Sequence, residues 1–318
     1  MPLWGGLAIF IGFIVVYLVT AILSGYYEMD ALVGMVGGGT LIVAVGMLDD
    51  RFNLSPKLKL LGQLAAAAVV VASGLYIEYI QLPFGDAIVV KPWIGMLITV
   101  FWIVGVTNAI NLIDGLDGLS AGVSAIATVT ILILSIMMEN WPAALLCVTL
   151  LGGMIGFLRY NFHPASIFMG DTGALFLGFS LATLAIMGFK TSTVMSFLVP
   201  VLILGVPLSD TMLAIIRRKL NHKPISVADK GHLHHCLMNM GFSMRKTVLI
   251  IYGISALFGM CAIFLSQTSQ WGAIIIVTLV VLLMEVGAEA IGIISKSRKP
   301  VLKLLQRLTT DVRSRASK

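Results

Sequence analysis

Residues Thr247–Ser266 read TVLIIYGISALFGMCAIFLS, a run of 20 residues without a charged side chain. A helix rises about 1.5 Å per residue, so such a run reaches across the roughly 30 Å hydrocarbon core of a bilayer. Lipid offers no hydrogen-bond partner to backbone amides, so only helices and closed barrels can cross it. Because the run is continuous and lacks the alternation of a barrel strand, it predicts a transmembrane helix.

Nine further apolar runs of this kind are spread over the chain. Together the ten runs predict an all-α polytopic membrane protein with about ten transmembrane helices, embedded in the lipid bilayer. The ten runs are Leu7–Ser24, Ala31–Leu48, Leu58–Leu75, Trp93–Thr107, Gly118–Met138, Ala143–Leu158, Gly173–Phe189, Val194–Ile216, Thr247–Ser266 and Trp271–Ile294.

The composition of the whole chain agrees with this prediction. Of the 318 residues, 58% are hydrophobic and 11% are charged, against about 25% charged in an ordinary soluble domain. So little charge cannot cover the surface of a soluble fold of this length, which excludes a soluble enzyme and a disordered chain. It also excludes a nucleic-acid partner, despite a net charge of +6. The three cysteines have no close spacing and suggest no disulfide framework.

Basic residues concentrate in alternate connecting segments. Segments 49–57 (with the adjoining Lys59), 108–117, 159–172, 217–246 and the tail from residue 295 hold 19 of the 21 Lys and Arg residues. The positive-inside rule places these segments in the cytoplasm, together with both termini. We therefore predict one transmembrane domain over residues 1–294, with cytoplasmic catalytic loops, and a basic cytoplasmic tail over residues 295–318.

Polar residues gather on the predicted cytoplasmic side, which favours an enzyme working at the inner leaflet. A transporter, the alternative from another class, should carry polar residues near the middle of the membrane beside broken helices. Only Glu285 and Glu289 fit that requirement.

The first polar cluster is Asp49-Asp50, at the end of the second run. Helix C-termini favour cations, so two acids there oppose the helix dipole and suggest a metal ligand or a base. A solvated helix end is the simpler alternative. Nearby, Lys57 and Lys59 suit phosphates or lipid headgroups, although snorkelling also explains them.

The second cluster contains Asn108, Asn111, Asp114 and Asp117. Steps of three residues keep these side chains roughly on one helical face. Four amides and acids entering an apolar helix need internal partners, which favours a functional interpretation. A helix-terminating turn with Asp-Gly signals is the alternative.

The third cluster includes Phe168 and the sequence Gly170-Asp171-Thr172-Gly173. A Gly-Asp-x-Gly turn that leads into a helix presents backbone N–H groups and a carboxylate together, which suits a metal–phosphate site. Asp171 as an ordinary helix N-cap explains the pattern equally well.

The fourth cluster lies in the loop of residues 217–246 and combines histidines with basic residues. The H-x-H-H-C spacing lacks the separated ligand pairs of structural zinc sites, so zinc stays an alternative. An anion site in which one histidine transfers protons fits better, and attraction to the membrane surface is the third alternative. The candidates are Arg217, Arg218, His232, His234, His235 and Cys236.

In this order, the motifs LDD, NAINLIDGLDGL, NFHPASIFMGDTGALFLG and GHLHHCL resemble those of the bacterial polyprenyl-phosphate N-acetylhexosamine-1-phosphate transferases, the glycosyltransferase 4 group. The histidine segment is similar to that of the members that use UDP-N-acetylglucosamine (UDP-GlcNAc), the teichoic-acid and enterobacterial-antigen initiators. The phospho-MurNAc-pentapeptide transferases, the alternative branch, tend to carry three consecutive histidines.

The resemblance implies a reaction at the bacterial cytoplasmic membrane. Undecaprenyl phosphate attacks the β-phosphorus of UDP-GlcNAc, UMP leaves, and the lipid-linked sugar begins a cell-envelope polysaccharide. One pyrophosphate linkage replaces another, so no ATP site is needed. Mg²⁺, with Mn²⁺ as an alternative ion, would bring the two anions together.

The resemblance also implies roles for individual residues. Asp171 and Asn111 would ligate Mg²⁺. Asp114 and Asp117 would bind the donor on its uracil side, and Phe168 would stack on the base. Asn108 would also bind substrate. Asp49 and Asp50 would act at the lipid phosphate, one of them as a base, although a phosphate monoester is mostly ionised at pH 7. His232, His234 and His235, with Arg217 and Arg218, would contact the sugar and diphosphate, and Lys57 would steer phosphate.

One departure from the resemblance concerns the start of the chain. Members usually begin with a further helix and a basic loop before a Pro-x-x-Gly-Gly segment, and this sequence starts inside that segment, at Met1–Gly6. An inactive scaffold is therefore a third alternative to the enzyme. The sequence also permits a homodimer.

Overall fold

The computed structural model describes residues 4–25, 27–80, 88–189, 198–220, 222 and 231–292. Within these ranges the chain forms thirteen α-helices, one π-helical turn and two short strands. The helices are α1 (Gly5–Ser24), α2 (Met29–Leu32), α3 (Gly38–Phe52), α4 (Pro56–Ala72), α5 (Pro92–Ile113), α6 (Leu119–Met137), α7 (Trp141–Asn161), α8 (Gly170–Phe189), α9 (Leu198–Ile203), α10 (Gly205–Leu220), α11 (Leu233–Asn239), α12 (Met244–Gln267) and α13 (Gln270–Ile291).

Eight helical segments of the described residues are long and apolar enough to cross a membrane. They confirm a helical, multi-pass membrane protein. The π-helical turn Val33–Gly37 joins α2 and α3 into one such segment. Neither of the other two predicted runs forms a single helix of that length. Helix α4 has 17 residues, and the described part of the run Val194–Ile216 is divided between α9 and α10. The count of about ten crossings therefore stays a prediction, and the predicted basic tail lies outside the described residues.

A small hairpin interrupts the all-helical pattern in the segment between α4 and α5. Strands β1 (Tyr79–Ile80) and β2 (Ile88–Val89) pair antiparallel, with Tyr79 opposite Val89. Strands of two residues carry too little periodicity to be predicted from the sequence.

Helix α8 lies at the centre of the bundle and contacts α1, α3, α5, α6 and α7. Beyond Asp171 its sequence is uncharged, and a helix that is apolar on all sides is expected to be buried. Glycines on the neighbouring helices allow the close approach. A Cβ added at Gly46 in α3 would lie 2.4 Å from the Cα of Thr172.

The ends of α3, α4, α5 and α8 meet at one end of the bundle. Asn53 reverses the chain after α3 with a left-handed backbone (φ 49°), and Ser55 caps α4 by accepting a hydrogen bond from the Leu58 N–H. Because α5 ends and α8 begins at the same end, this arrangement brings the first three polar clusters together.

Candidate active site

A polar cavity of about 390 Å³ lies where these helix ends meet. It is lined by residues from the first three clusters of the sequence. These are Asp50, Asn111, Asp114, Gly115, Leu116, Asp117, Asn161, Phe168, Met169, Gly170 and Asp171. Six of the predicted site residues therefore line one cavity, and the other predicted residues are not part of its lining.

Asp50 caps the first turn of α8 from the end of α3. Its two carboxylate oxygens accept hydrogen bonds from the N–H of Asp171 (2.7 Å) and from the N–H and hydroxyl of Thr172 (3.1 and 2.6 Å). A carboxylate is favourable at a helix N-terminus, where N–H groups lack partners. Asp50 supplies this cap, so the side chain of Asp171 is available for other contacts.

Lys59 joins two of the predicted acids. Its Nζ lies 2.6 Å from Oδ2 of Asp49 and 2.7 Å from Oδ1 of Asp171. Asp49 is buried, and its other oxygen accepts a hydrogen bond from the Leu54 N–H at 2.8 Å. Both carboxylate oxygens of Asp49 are therefore fixed, and Lys59 links this side chain to the first turn of α8.

Lys57, named in the sequence analysis for steering phosphate, is exposed and outside the cavity lining. Two residues along a helix correspond to a rotation of about 200°, so Lys57 and Lys59 face opposite sides of α4. Lys59 is therefore the lysine of α4 that reaches the site, and a steering role for the exposed Lys57 stays a prediction.

Asn111 approaches Asp171 from the last turn of α5. Its Nδ2 donates to Oδ1 of Asp171, the oxygen that Lys59 also contacts. Carboxylate and amide oxygens are the ligands that Mg²⁺ prefers, usually one or two from the protein with the rest from phosphates and water. Asp171 and the carbonyl oxygen of Asn111 fit that pattern. A closed protein cage is not seen, because no three His, Cys, Asp or Glu side chains in the described ranges are placed to hold a metal.

Asp114 follows α5 and is affected by the negative charge of the cavity. Burial, together with the nearby Asp171 and Asp50 carboxylates, raises the pKa of Asp114 to about 7. A group of acids this close favours a cation among them. Because α5 ends at Ile113, Asp114 and Asp117 lie in a turn and not on a helical face. The turn predicted as the alternative is present, and it still brings both carboxylates to the cavity.

The turn at Asp117 is bound to the segment that carries Phe168. Oδ2 of Asp117 contacts Nδ1 of His163 at 2.8 Å and accepts from the Ala165 N–H at 3.1 Å. Asn161 accepts from the Gly118 N–H and donates to the Ile167 carbonyl. Phe168 lines the same cavity as Asp117, and 37% of its surface is exposed.

Asn108 does not line the cavity. Its amide exchanges hydrogen bonds with Gln63 of α4 (2.6 and 3.3 Å) and donates to the Val104 carbonyl. The side chain therefore connects α4 to α5 one turn below Asn111.

The histidine segment lies against the wall of the cavity. His232 is the residue before α11, and a Cβ added at Gly115 would lie 2.7 Å from Nε2 of His234. The ring centroids of His234 and His235 are 4.2 Å apart. Burial and the neighbouring His235 lower the pKa of His234 to about 4, so its ring is neutral near pH 7. Within the described part of this loop no three metal-ligating side chains are grouped, and the zinc alternative stays untested.

Arg217 and Arg218 end α10 beside the start of the histidine segment. Both are half-buried, and a Cβ added at Gly231 would lie 2.4 Å from the guanidinium carbon of Arg217. Neither arginine lines the cavity, and residues 223–230 lie outside the described ranges. The structure thus places the basic end of α10 on the histidine side of the site.

Two partners of the site are absent from the sequence prediction. His163 lies in the third motif without a predicted role, and it contacts Asp117. Asp210 lies within the apolar run Val194–Ile216, and its Oδ2 is 2.8 Å from Nδ1 of His232. A single acid inside an apolar run was the available signal, because such a residue requires a partner.

These features define a multi-pass membrane protein with a carboxylate-rich cavity at one end of its helices. The chain belongs to glycosyl transferase family 4, whose family model matches residues 32–189. It is 43% identical to the "Probable undecaprenyl-phosphate N-acetylglucosaminyl 1-phosphate transferase" of Bacillus subtilis, over 97% of this chain and 85% of that protein.

More distant relatives include members of both branches considered above. The chain is 35% identical to the "Decaprenyl-phosphate N-acetylglucosaminephosphotransferase" of Mycolicibacterium smegmatis, covering 89% of this chain and 78% of that protein. It is 32% identical to the "Phospho-N-acetylmuramoyl-pentapeptide-transferase" of Bacillus thuringiensis, covering 83% of each. The family resemblance drawn from the four motifs is therefore confirmed.

Proposed function

We propose that the protein transfers GlcNAc-1-phosphate from UDP-GlcNAc to undecaprenyl phosphate and releases UMP. The observation that carries the proposal is the Asp49–Lys59–Asp171 chain at the N-terminus of α8, with Asn111 on the same oxygen of Asp171. It combines a cation with hard oxygen ligands where the helix ends meet, which suits joining two phosphorylated substrates.

Mg²⁺ would be held by Asp171 and Asn111, with the diphosphate supplying further oxygens. When bound, the ion neutralises charge on the two phosphates that must approach each other. Mn²⁺ has the same preference for oxygen ligands and would substitute.

The side chains around Asp171 have separate tasks in this proposal. Lys59 neutralises the phosphate at the reacting end, and the buried Asp49 holds its ammonium group in position. Asp50 fixes the N-terminus of α8, because both of its oxygens accept hydrogen bonds there. Neither acid has to act as a base, since the acceptor phosphate is already mostly ionised at pH 7.

The donor nucleotide would lie along the cavity. Phe168 stacks on uracil, and Asp117 and Asp114 accept hydrogen bonds on the uracil side. The sugar and diphosphate extend toward Gly115, where His234 approaches, with His232, His235, Arg217 and Arg218 beyond it. The basic residues then lie near the more negative half of the donor.

The setting is the bacterial cytoplasmic membrane, with the cavity on the cytoplasmic side. The bias of 19 of the 21 Lys and Arg residues supports this orientation and a cytoplasmic C-terminus. A transporter fits less well. Of the two acids inside α13, only Glu289 is buried, whereas Glu285 is exposed, so the two do not form one buried polar site. The polar cavity lies instead at one end of the described helices.

The experiment is a UMP-release assay on the purified protein with undecaprenyl phosphate, Mg²⁺ and either UDP-GlcNAc or UDP-MurNAc-pentapeptide. We expect UMP with UDP-GlcNAc and a rate near background with the second donor. UMP from the pentapeptide donor alone would assign the protein to the other branch. No UMP from either donor would refute the proposed transfer and leave the inactive scaffold.

A further inference from the structure

Asp210, on α10, holds the start of the histidine helix α11 with both of its carboxylate oxygens. Oδ2 lies 2.8 Å from Nδ1 of His232, and Oδ1 accepts a hydrogen bond from the Leu233 N–H at 2.8 Å. Both side chains of the pair are buried, with 3% of Asp210 and 7% of His232 exposed. One carboxylate therefore fixes a ring and the first backbone N–H of a helix 22 residues later in the chain.

Burying the Asp210 carboxylate costs free energy, because its surroundings are largely apolar. Asp210 also lines a second, largely apolar cavity of about 260 Å³, beside Val206, Leu233, Ile254 and Phe258. A carboxylate in such surroundings loses its hydration, and the loss is repaid only when the group is fully hydrogen-bonded. An apolar residue would pack there without that loss, so packing alone does not explain an aspartate.

The hydrogen bond selects one form of the His232 ring. A carboxylate that accepts from Nδ1 keeps the proton on that nitrogen and leaves Nε2 as the other functional atom. The His232 ring also lies parallel to that of His234, with centroids 6.0 Å apart. His234 in turn abuts Gly115 of the cavity. Asp210 is thus connected through α11 to the donor side of the site.

We propose that Asp210 is a positioning residue for the transfer reaction. It fixes the Nδ1–H form of His232 and holds α11 against the turn that carries Asp114 and Asp117. The proposal rests on the proposed function, because His232 is placed there beside the diphosphate.

Asp210→Asn is the test variant, because an amide of the same shape has one oxygen and cannot accept from both His232 and Leu233. We expect kcat for UMP release to fall by at least about tenfold, the scale of losses at residues that orient a functional group. KM for UDP-GlcNAc is expected to change less than kcat. Ser209→Ala is the matched control, since among the described residues its hydroxyl bonds to the Val206 carbonyl of its own helix. It should keep the wild-type kcat.

A double variant separates positioning from general structural damage. If Asp210 acts through His232, adding Asp210→Asn to His232→Ala should cost little beyond His232→Ala alone. Independent, multiplying losses in the double variant would overturn the proposal, and so would an unchanged kcat in Asp210→Asn.

Nitrogen NMR of histidine-labelled protein provides a readout without turnover. The wild type should show His232 protonated at Nδ1, and Asp210→Asn should change that signal. An unchanged signal would overturn the hold of Asp210 on His232 even in an active enzyme. Wild-type protein that shows the signal but releases no UMP would instead refute the proposed function.

Discussion

Lys57 and Lys59 are two positions apart, and their separation around α4 decides which of them reaches the site. Lys59 contacts Asp49 and Asp171, whereas Lys57 is exposed. Lys59→Met removes the cation and leaves two carboxylates unpaired. We expect kcat for UMP release to fall by about 100-fold, the effect of losing one preorganised electrostatic contact.

Lys57→Met is the matched control for that prediction, because it removes the same charge from the opposite face of the same helix. We expect its kcat to stay within about twofold of the wild type. Equal losses in the two variants would show that the lysines act through the charge of the membrane surface and not through the site.

The raised pKa of Asp114 makes the folding stability depend on pH. Its pKa is raised to about 7 by burial and by Asp171 and Asp50, so the folded protein retains a proton that the unfolded chain releases near pH 4. Folding stability from this group is therefore lost as pH rises from about 4 through 7. Without divalent cation, Asp114→Asn should raise the melting temperature, and the gain should grow up to about pH 7 and then level off.

The control for Asp114 is Asp30→Asn, a change at an exposed carboxylate. Melting curves at pH 5.5 and pH 8.5 in EDTA give the comparison. A gain for Asp114→Asn that is the same at both pH values would contradict the raised pKa.

At the scale of elements, α8 depends on a close approach to α3. A Cβ at Gly46 would overlap the backbone of Thr172, the residue that Asp50 holds. Gly46→Ala should therefore destabilise the protein by about 1–3 kcal/mol, the range for overpacking a close-packed contact, and lower UMP release. Thermal unfolding in detergent measures the first effect.

Gly12→Ala in α1 is the control, since apart from the backbone of α1 itself no atom of the described residues lies within 4 Å of the added Cβ. A helix-interior Gly→Ala change without overlap should be neutral or stabilising. Equal melting temperatures for Gly46→Ala and the wild type would show that α3 and α8 separate at little cost.

The sequence predicted the apolar helices because a long uncharged run without the alternation of a barrel strand crosses lipid as a helix. It predicted less at helix ends, where one or two residues decide the geometry. Asp114 is predicted on a helical face and lies in a turn, and Asn108, predicted to bind substrate, bonds to Gln63. Asp210 and His163 have their partners 22 and 46 residues away along the chain, so the sequence could mark Asp210 as a lone acid in an apolar run but could not identify either partner.

At the scale of the whole molecule, the orientation in the membrane is the open prediction. In a chain without its native cysteines, Ser55→Cys lies at the cavity end and Gln270→Cys begins α13 at the other end. A membrane-impermeant maleimide added to intact cells should label Gln270→Cys, and Ser55→Cys only after the membrane is opened. The reverse pattern would put the site outside the cell.

Phosphate transfer is expected to require Asp171, which is held between Lys59 and Asn111. The most direct measurement is formation of GlcNAc-diphosphoundecaprenol in liposomes that contain the purified protein, undecaprenyl phosphate, UDP-GlcNAc and Mg²⁺. We expect product and equimolar UMP from the wild type, none after removal of divalent cation, and at least a 100-fold loss in Asp171→Asn. Wild-type rates in Asp171→Asn, or product formed equally well in EDTA, would contradict this expectation.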